Sequence, residues 1–288
     1  MPKELIAGVS FSDTMAQTVV LGLDENSIEL YHLEESPNAN RNDTWFLDSV
    51  LNAQEGMGGK ISRVAVAIDN AAVFLLSFPL DGSLTRPEQN EHIQWELSNF
   101  VEDFKPKDYI NDIHVLRTRA REQVSEILTV SVRRSLVFNI QNTLANKKID
   151  LQLVDTNHFG AQHALFAVHP EAKTKVAALA GISKSRIDVG ILVNGRLTNY
   201  RYALKSSIKD VSDFLEHYLK ENSSSEVFLY GSGVSFELTK AFRSMPGTTV
   251  TTLNPFRKVR VSSSFRGFDK FIGYEHRFAS CVGCALRK

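Results

Sequence analysis

Cysteine is nearly absent: Cys281 and Cys284 are the only two in 288 residues. A disulfide framework is excluded, and the usage points to a reducing compartment. There is no excess charge of either sign, 33 Lys and Arg standing against 33 Asp and Glu. Proteins that cling to nucleic acid draw most of their affinity from a basic balance, so that class is disfavoured. No apolar run approaches the ~20 residues that span a bilayer. The opening Met-Pro-Lys-Glu-Leu-Ile-Ala-Gly has too short an apolar core for a secretory signal. Also missing are Gly-x4-Gly-Lys-Ser/Thr, Gly-x-Gly-x-x-Gly, His-Glu-x-x-His and Gly-x-Ser-x-Gly, and with them the commonest phosphate, dinucleotide, zinc and serine-hydrolase signatures. What remains is a soluble cytoplasmic chain, 43% hydrophobic and 23% charged, long enough for one or two domains with sizeable cores.

Three groups of chemically versatile residues have simpler readings. His158, His163 and His169 are too unevenly spaced to stack on one helical face, so no metal site is assigned. Cys281-x-x-Cys284 has zinc or redox spacing, but no second pair completes a zinc site, and the apolar flanks read as a buried helix. The basic run Arg257-Lys258-Val259-Arg260, with Arg266, Lys270 and interleaved phenylalanines, fits a solvated loop better than a nucleic-acid surface.

The pattern along the chain predicts three strands at 5–9, 18–23 and 28–33, a helix over 42–53 capped by Asp43 or Thr44, and strands at 63–68 and 72–78, the latter ended by Pro79. Thr85-Arg86-Pro87-Glu88 opens a helix whose stripe is Ile93, Leu97, Phe100, Val101 and Phe104. Strands at 110–118 and 124–132 and a helix at 135–146 complete an αββα unit. A strand at 151–154 and a helix at 158–168 follow. The second half repeats the opening, with strands at 175–179, 187–193 and 197–204, Asn194-Gly195 as a hairpin turn, a helix at 208–219, a strand at 227–230, a helix at 234–242 and a strand at 248–252. The last helix is expected at 274–286. A strand meander duplicated in this way implies two similar α/β lobes with a cleft between them.

Several stretches resemble one family within the actin-like fold. Val66-Ala67-Ile68, Phe78-Pro79-Leu80 and Pro87-Glu88…Ile93-Gln94-Trp95-Glu96 are similar to the passage of PilM proteins into their inserted subdomain. Leu229-Tyr230-Gly231-Ser232-Gly233 resembles that family's glycine turn near adenosine, Leu253-Asn254-Pro255-Phe256 its Asn-Pro-Phe element, and Cys281–Arg287 its closing helix. The likeness covers roughly 60–165 and 226–288. It implies an α/β, actin-like (duplicated ribonuclease H-like) fold. The expected first lobe is 1–79 with 150–174 and 273–288, and the αββα subdomain is 80–149. The second lobe, 175–272, lacks its usual insert. The resemblance further implies a cytoplasmic scaffold of a type IV pilus or related secretion assembly, peripheral at the inner membrane. It would bind the cytoplasmic N-terminal peptide of a PilN-like inner-membrane partner, with no nucleic acid and no direct membrane insertion, and with self-association left open. Phe74, Leu76, Phe78 and Trp95 are the candidate groove residues, with a core role as the competing reading.

The departures from the family bear on catalysis. Actin-like ATPases hold phosphates between two hairpin turns, each usually carrying Asp-x-Gly. Here Ser10 and Ser12 stand in the Asp and Gly places of the first turn, and Gln17 where Lys is frequent. In the second turn Ala180 and Ile182 are the corresponding residues. A shifted register that lets Lys184 and Asp188 supply charge is the alternative. Gly231, Ser232 and Gly233, with Ser10 and Ser12, are then a degenerate remnant of a nucleotide site. No cofactor, metal or catalysis is expected; the alternative is an active ATPase or kinase that binds Mg-ATP.

Overall fold

Short runs of β-branched and apolar residues form an antiparallel meander, β1 (Glu4–Phe11), β2 (Met15–Leu23) and β3 (Ile28–Pro37). The computed structural model describes residues 4–25, 27–38, 44–57, 60–119 and 123–287. Helix α1 (Asp48–Gly56) then leads to β4 (Ile61–Ile68), which lies parallel to β1. Only part of the helix expected at 42–53 is α-helical, Trp45–Leu47 being a 3-10 turn, and Asn42 and Asp43 lie outside the described residues.

The chain next builds β5 (Phe74–Asp81), α2 (Arg86–Phe100), β6 (Tyr109–Arg119), β7 (Val124–Arg133) and α3 (Arg134–Ala145). The strands form a separate three-stranded sheet in the order β5-β7-β6. Pro79 does not end its strand. β5 is an edge strand, so one side of it has no neighbour that needs the missing N–H. At α2 the Thr85 and Glu88 side chains form a capping box, and Glu88 Oε2 accepts the Thr85 N–H at 2.7 Å. Phe78, Leu80, Ile93, Leu97 and Ile127 make the core of this unit.

β8 (Asp150–Thr156) returns to the first sheet beside β4, and α4 (Asn157–Val168) follows with Thr156 as its cap. β9 (Val176–Ile182), β10 (Arg186–Val193) and β11 (Arg196–Leu204) repeat the meander. Asn194 and Gly195, both at positive φ, turn the expected hairpin. α5 (Ile208–Glu221) runs directly to β12 (Glu226–Tyr230), and α6 (Phe236–Arg243) to β13 (Thr249–Thr252). Val211, Leu215 and Tyr218 on α5 and Phe242 on α6 are buried against this second sheet, each such side chain contributing about 1.5–3 kcal/mol. The two large sheets share one plan: β3-β2-β1-β4-β8 in the first matches β11-β10-β9-β12-β13 in the second. A two-residue strand not anticipated from sequence, β14 (Arg260–Val261), extends the first sheet at β3. The final helix is shorter than expected: Glu275–Phe278 is a 3-10 turn, and α7 (Ala279–Leu286) begins after it. α7 packs on the first sheet, with Cys281 and Cys284 both buried as apolar helix residues.

Candidate functional site

The β1–β2 and β9–β10 turns face a common cleft of about 170 Å³, smaller than the roughly 300–1,000 Å³ of pockets that enclose drug-sized ligands. Their bonding is the same. In the first, the Ser12 N–H donates to the Met15 carbonyl at 2.8 Å, and the Met15 N–H donates to the Ser12 hydroxyl at 3.3 Å. In the second, the Ser183 N–H donates to the Arg186 carbonyl at 2.9 Å, and the Arg186 N–H donates to the Ser183 hydroxyl at 3.1 Å. Two residues before each serine, Ser10 pairs with Gln17 and Gly181 with Asp188. The register therefore makes Gly181 and Ser183 the equivalents of Ser10 and Ser12. Ala180 and Ile182, the residues expected there, are one position too early and lie within β9. Asp13 and Lys184 occupy matching places at the turn tips.

Neither equivalent position carries a carboxylate. Ser10 is buried and donates to Gln17 Oε1 at 3.2 Å; Gln17 Nε2 donates to Glu35, whose other oxygen accepts from Arg277 at 3.2 Å. Beside Gly181 the space is taken by Tyr230, whose hydroxyl would lie 2.3 Å from an added Cβ. Asp188 is present on the cleft wall but already engaged: Arg186 Nε donates to it at 2.8 Å and the Tyr200 hydroxyl at 2.5 Å. Arg186 also donates to the Asn70 carbonyl, Asn70 Oδ1 accepts the His158 N–H at 3.2 Å, and His158 Nδ1 lies 3.2 Å from the Tyr230 hydroxyl. This buried chain of polar groups joins the first half of the molecule to the second. Burial, with Arg186 adding to it, pushes the His158 pKa down to about 3, so the ring is neutral. Burial likewise raises the Asp69 and Asp188 carboxyls and both phenols.

The glycine turn is accounted for by packing. Gly231 sits at φ +102°, and its N–H donates to the His276 carbonyl at 3.1 Å; the Gly233 N–H donates to Ile182 at 2.8 Å. A Cβ at Gly231 would meet the Ile182 carbonyl at 2.5 Å, and one at Gly233 the Ser183 carbonyl at 2.1 Å. Ser10, Ser12, Gly231 and Ser232 line the cleft; Gly233 does not.

A second cavity, about 150 Å³, lies where the three-stranded sheet meets the first large sheet. Ile110 and His114 of β6, Val130 and Val132 of β7, Val137 of α3 and Val154 of β8 line it, with Asp155 at its edge. The His114 ring stacks on Phe159 at 4.2 Å, and burial lowers its pKa. Asp155 is bonded by the Arg287 guanidinium, while burial raises its carboxyl. The residues expected to line this crease lie elsewhere. Phe74, Leu76 and Phe78 project from the other face of β5 into the core under α2, because alternation along the strand gives the crease side to Val73 and Leu75. Trp95 is 60% exposed on the outer side of α2, across the helix from buried Ile93 and Leu97.

A family model described as type IV pilus assembly protein PilM matches residues 36–204, more than half of the chain. The chain belongs to the PilM family. Its fold is similar to that of the PilM-PilN type IV pilus biogenesis complex, at 17% identity over 98% of each chain with a TM-score of 0.73. A Bacteroides thetaiotaomicron protein with an actin-like ATPase fold matches at 12% identity, 93% and 95% coverage and TM-score 0.56. The cytoplasmic domain of EpsL, an inner-membrane component of the Vibrio cholerae type II secretion system, matches at 12% identity, 91% and 90% coverage and TM-score 0.51. No curated protein matches the sequence. The actin-like fold and the PilM family expected from the sequence are thus both correct, and membership places the chain among pilus assembly proteins. Within this PilM-family chain, the crease residues Val130, Val132 and His114 escaped sequence reading. The apolar alternation of β6 and β7 was visible, but which face met the first lobe was not.

Proposed function

We propose that this PilM-family protein is a non-catalytic scaffold of a type IV pilus or related secretion assembly, which holds a short cytoplasmic peptide of a PilN-like inner-membrane partner in the crease at Val130, Val132 and Val137. The observation that carries this reading is the crease cavity, a largely apolar slot between two sheets whose lining also includes Asp112 and Asp155. An extended peptide inserted there gains a few apolar anchors and meets Asp155 with its Arg287 partner at one side. The solved structure with the same fold is named for its PilM-PilN complex, which supports the choice of partner. No helix among the described residues is long and apolar enough to cross a membrane; on this reading the protein reaches the inner membrane from the cytoplasm through that partner.

The same reading assigns no nucleotide, Mg²⁺ or ATP hydrolysis to the cleft. An incoming polyphosphate would meet Asp13 and Asp69 beside Lys184 and an Arg277 already paired with Glu35, and the Ser10 and Gly181 positions lack a carboxylate to hold Mg²⁺ through water. The glycine turn's N–H groups at 231 and 233 are already spent on carbonyls. Titration calorimetry with a PilN-like N-terminal peptide and, separately, with Mg-ATP tests both parts. Peptide binding lost in Val130→Glu, beside no saturable Mg-ATP signal, is expected. Saturable Mg-ATP binding at micromolar concentration would sink the cleft reading, and peptide affinity unchanged in Val130→Glu the crease reading.

A further inference from the structure

Six polar side chains from the two lobes meet beside the cleft. Asn70 and His158 come from the first lobe, and Arg186, Asp188, Tyr200 and Tyr230 from the second; all six are buried. Asn70 is the hub. It stands on the 3-10 turn after β4, which Asp69 caps by accepting the Ala71 N–H at 2.9 Å. The Asn70 carbonyl accepts from Arg186 Nη1 at 3.3 Å, and its Oδ1 accepts the His158 N–H at 3.2 Å. Its side chain also bonds Asp188 and the Tyr230 hydroxyl. One asparagine of the first lobe thus engages three side chains of the second. Those are held from behind by their own lobe: Arg186 Nη2 lies 2.6 Å from Asp188, and the Tyr202 ring covers the guanidinium at 3.8 Å. His158 makes the other crossing, its ring so close to β10 that a Cβ at Gly190 would fall 2.3 Å from Nε2.

The inserted subdomain ties into the same junction. β6 packs beside β11, and Leu116 shares a core with Leu197 and Tyr200 of β11. Leu116 is the extra residue where the β6–β7 register shifts, buried between exposed Val115 and Arg117; a bulge of this kind re-aims a side chain. Every one of these contacts is between groups of the chain itself. Separating the lobes breaks the Asn70 bonds together, and a buried polar network is worth more than its pairs taken singly. We propose that Asn70 is a clasp that holds the two lobes closed through contacts internal to the chain, fixing the angle between them. β6, which carries Ile110 and His114 of the crease wall, is then held in one position as well. The clasp rests on the interlobe contacts alone and stands whatever the crease binds.

Pulsed electron resonance between two nitroxide labels on the full chain tests the proposal. Cys281 and Cys284 are buried, so the labels go to Glu55→Cys on α1 and Asp213→Cys on α5, both exposed helix positions. This labelled chain should give one narrow distance distribution, the same with and without Mg-ATP. Asn70→Ala should add a second, longer-distance population, raising the open fraction by roughly tenfold or more. Tyr230→Phe keeps the ring and removes only the hydroxyl, and should move the distribution the same way by less. If Asn70→Ala does not fold, Tyr230→Phe alone decides. Leu215→Ala, a core change inside the second lobe, should lower the melting temperature and leave the distribution narrow, which separates a clasp from general loss of stability. A broad or two-population distribution before either clasp residue is changed overturns the proposal. So does a distribution that stays narrow in every folded clasp variant, or one that shifts with Mg-ATP. Calorimetric binding of Mg-ATP with unshifted distances would overturn only the assignment of no nucleotide to the cleft.

Discussion

Acidification should weaken the fold through His158, and by a predictable amount. The folded-state pKa is depressed to about 3 against an ordinary 6.5, with burial the main cause and Arg186 the second. The unfolded chain therefore takes up a proton below 6.5 and the folded chain does not until near 3, so stability is fully present above that window and lost as pH falls through it. At pH 5.0 the linkage cost is about 2 kcal/mol, at 1.36 kcal/mol for each unit below 6.5. His276, lowered to about 4 by burial, acts in the same sense. Asp69, Asp155 and Asp188, whose carboxyls burial raises, act in the opposite sense. All four are shared by a His158→Phe variant, so the comparison isolates one ring. The variant should be less stable at pH 7.5 by about 1–3 kcal/mol, because the Tyr230 hydroxyl loses one of its two side-chain partners, His158, and keeps Asn70. Between pH 7.5 and 5.0, urea midpoints should then show wild type losing about 2 kcal/mol more than the variant. Parallel slopes for the two chains would refute a neutral, proton-excluding His158.

Phe78→Ala should cost about 3–5 kcal/mol of stability in urea unfolding, because the side chain is core under α2 rather than groove. Trp95→Ala should leave both the melting temperature and the affinity for a PilN-like peptide unchanged, since the side chain lies outside the crease. Gly231→Ala should destabilise by about 1–3 kcal/mol or more in the same unfolding assay, combining the left-handed backbone with a collision at the Ile182 carbonyl. Ser10→Asp should lower stability without creating Mg-ATP binding by calorimetry, because its neighbour Gln17 is neutral and the nearby Arg277 is already paired with Glu35.

The features most legible in the sequence are those enforced by local chemistry. The Thr85–Glu88 capping box, the Asn194-Gly195 hairpin and the period-2 runs of the two meanders can each be read from a few adjacent residues. The second hairpin turn is a different case. Ala177 to Ile182 are uniformly small or apolar and buried, so nothing in the run marks where the strand stops; Ser183, bonded at both ends of the turn, marks it only in three dimensions. Pro79 misleads because its edge position is a property of the sheet rather than of the strand. The crease is hidden for a related reason. β5 and the residue before it present apolar side chains on both faces, Val73 and Leu75 to one core and Phe74, Leu76 and Phe78 to another, and only the packing shows which face borders the slot. Arg186 and Tyr200, which hold Asp188, are far from the first lobe in sequence and carry no motif.

The position of α7 has a consequence for synthesis on the ribosome. Phe278, Cys281, Val282 and Ala285 close over Ile6, Val19 and Leu21 near the start of the chain. The strands of the first lobe are made first, yet that face stays uncovered until residues 278–285 leave the exit tunnel. The strands of the second sheet, from Val176 to Thr252, come from one uninterrupted stretch. The usual amino-to-carboxyl order of domain folding is therefore inverted here. The later lobe can complete its sheet before α7 is made, whereas the earlier one waits for that helix, and a chain truncated before 279 would leave this face of the first lobe open.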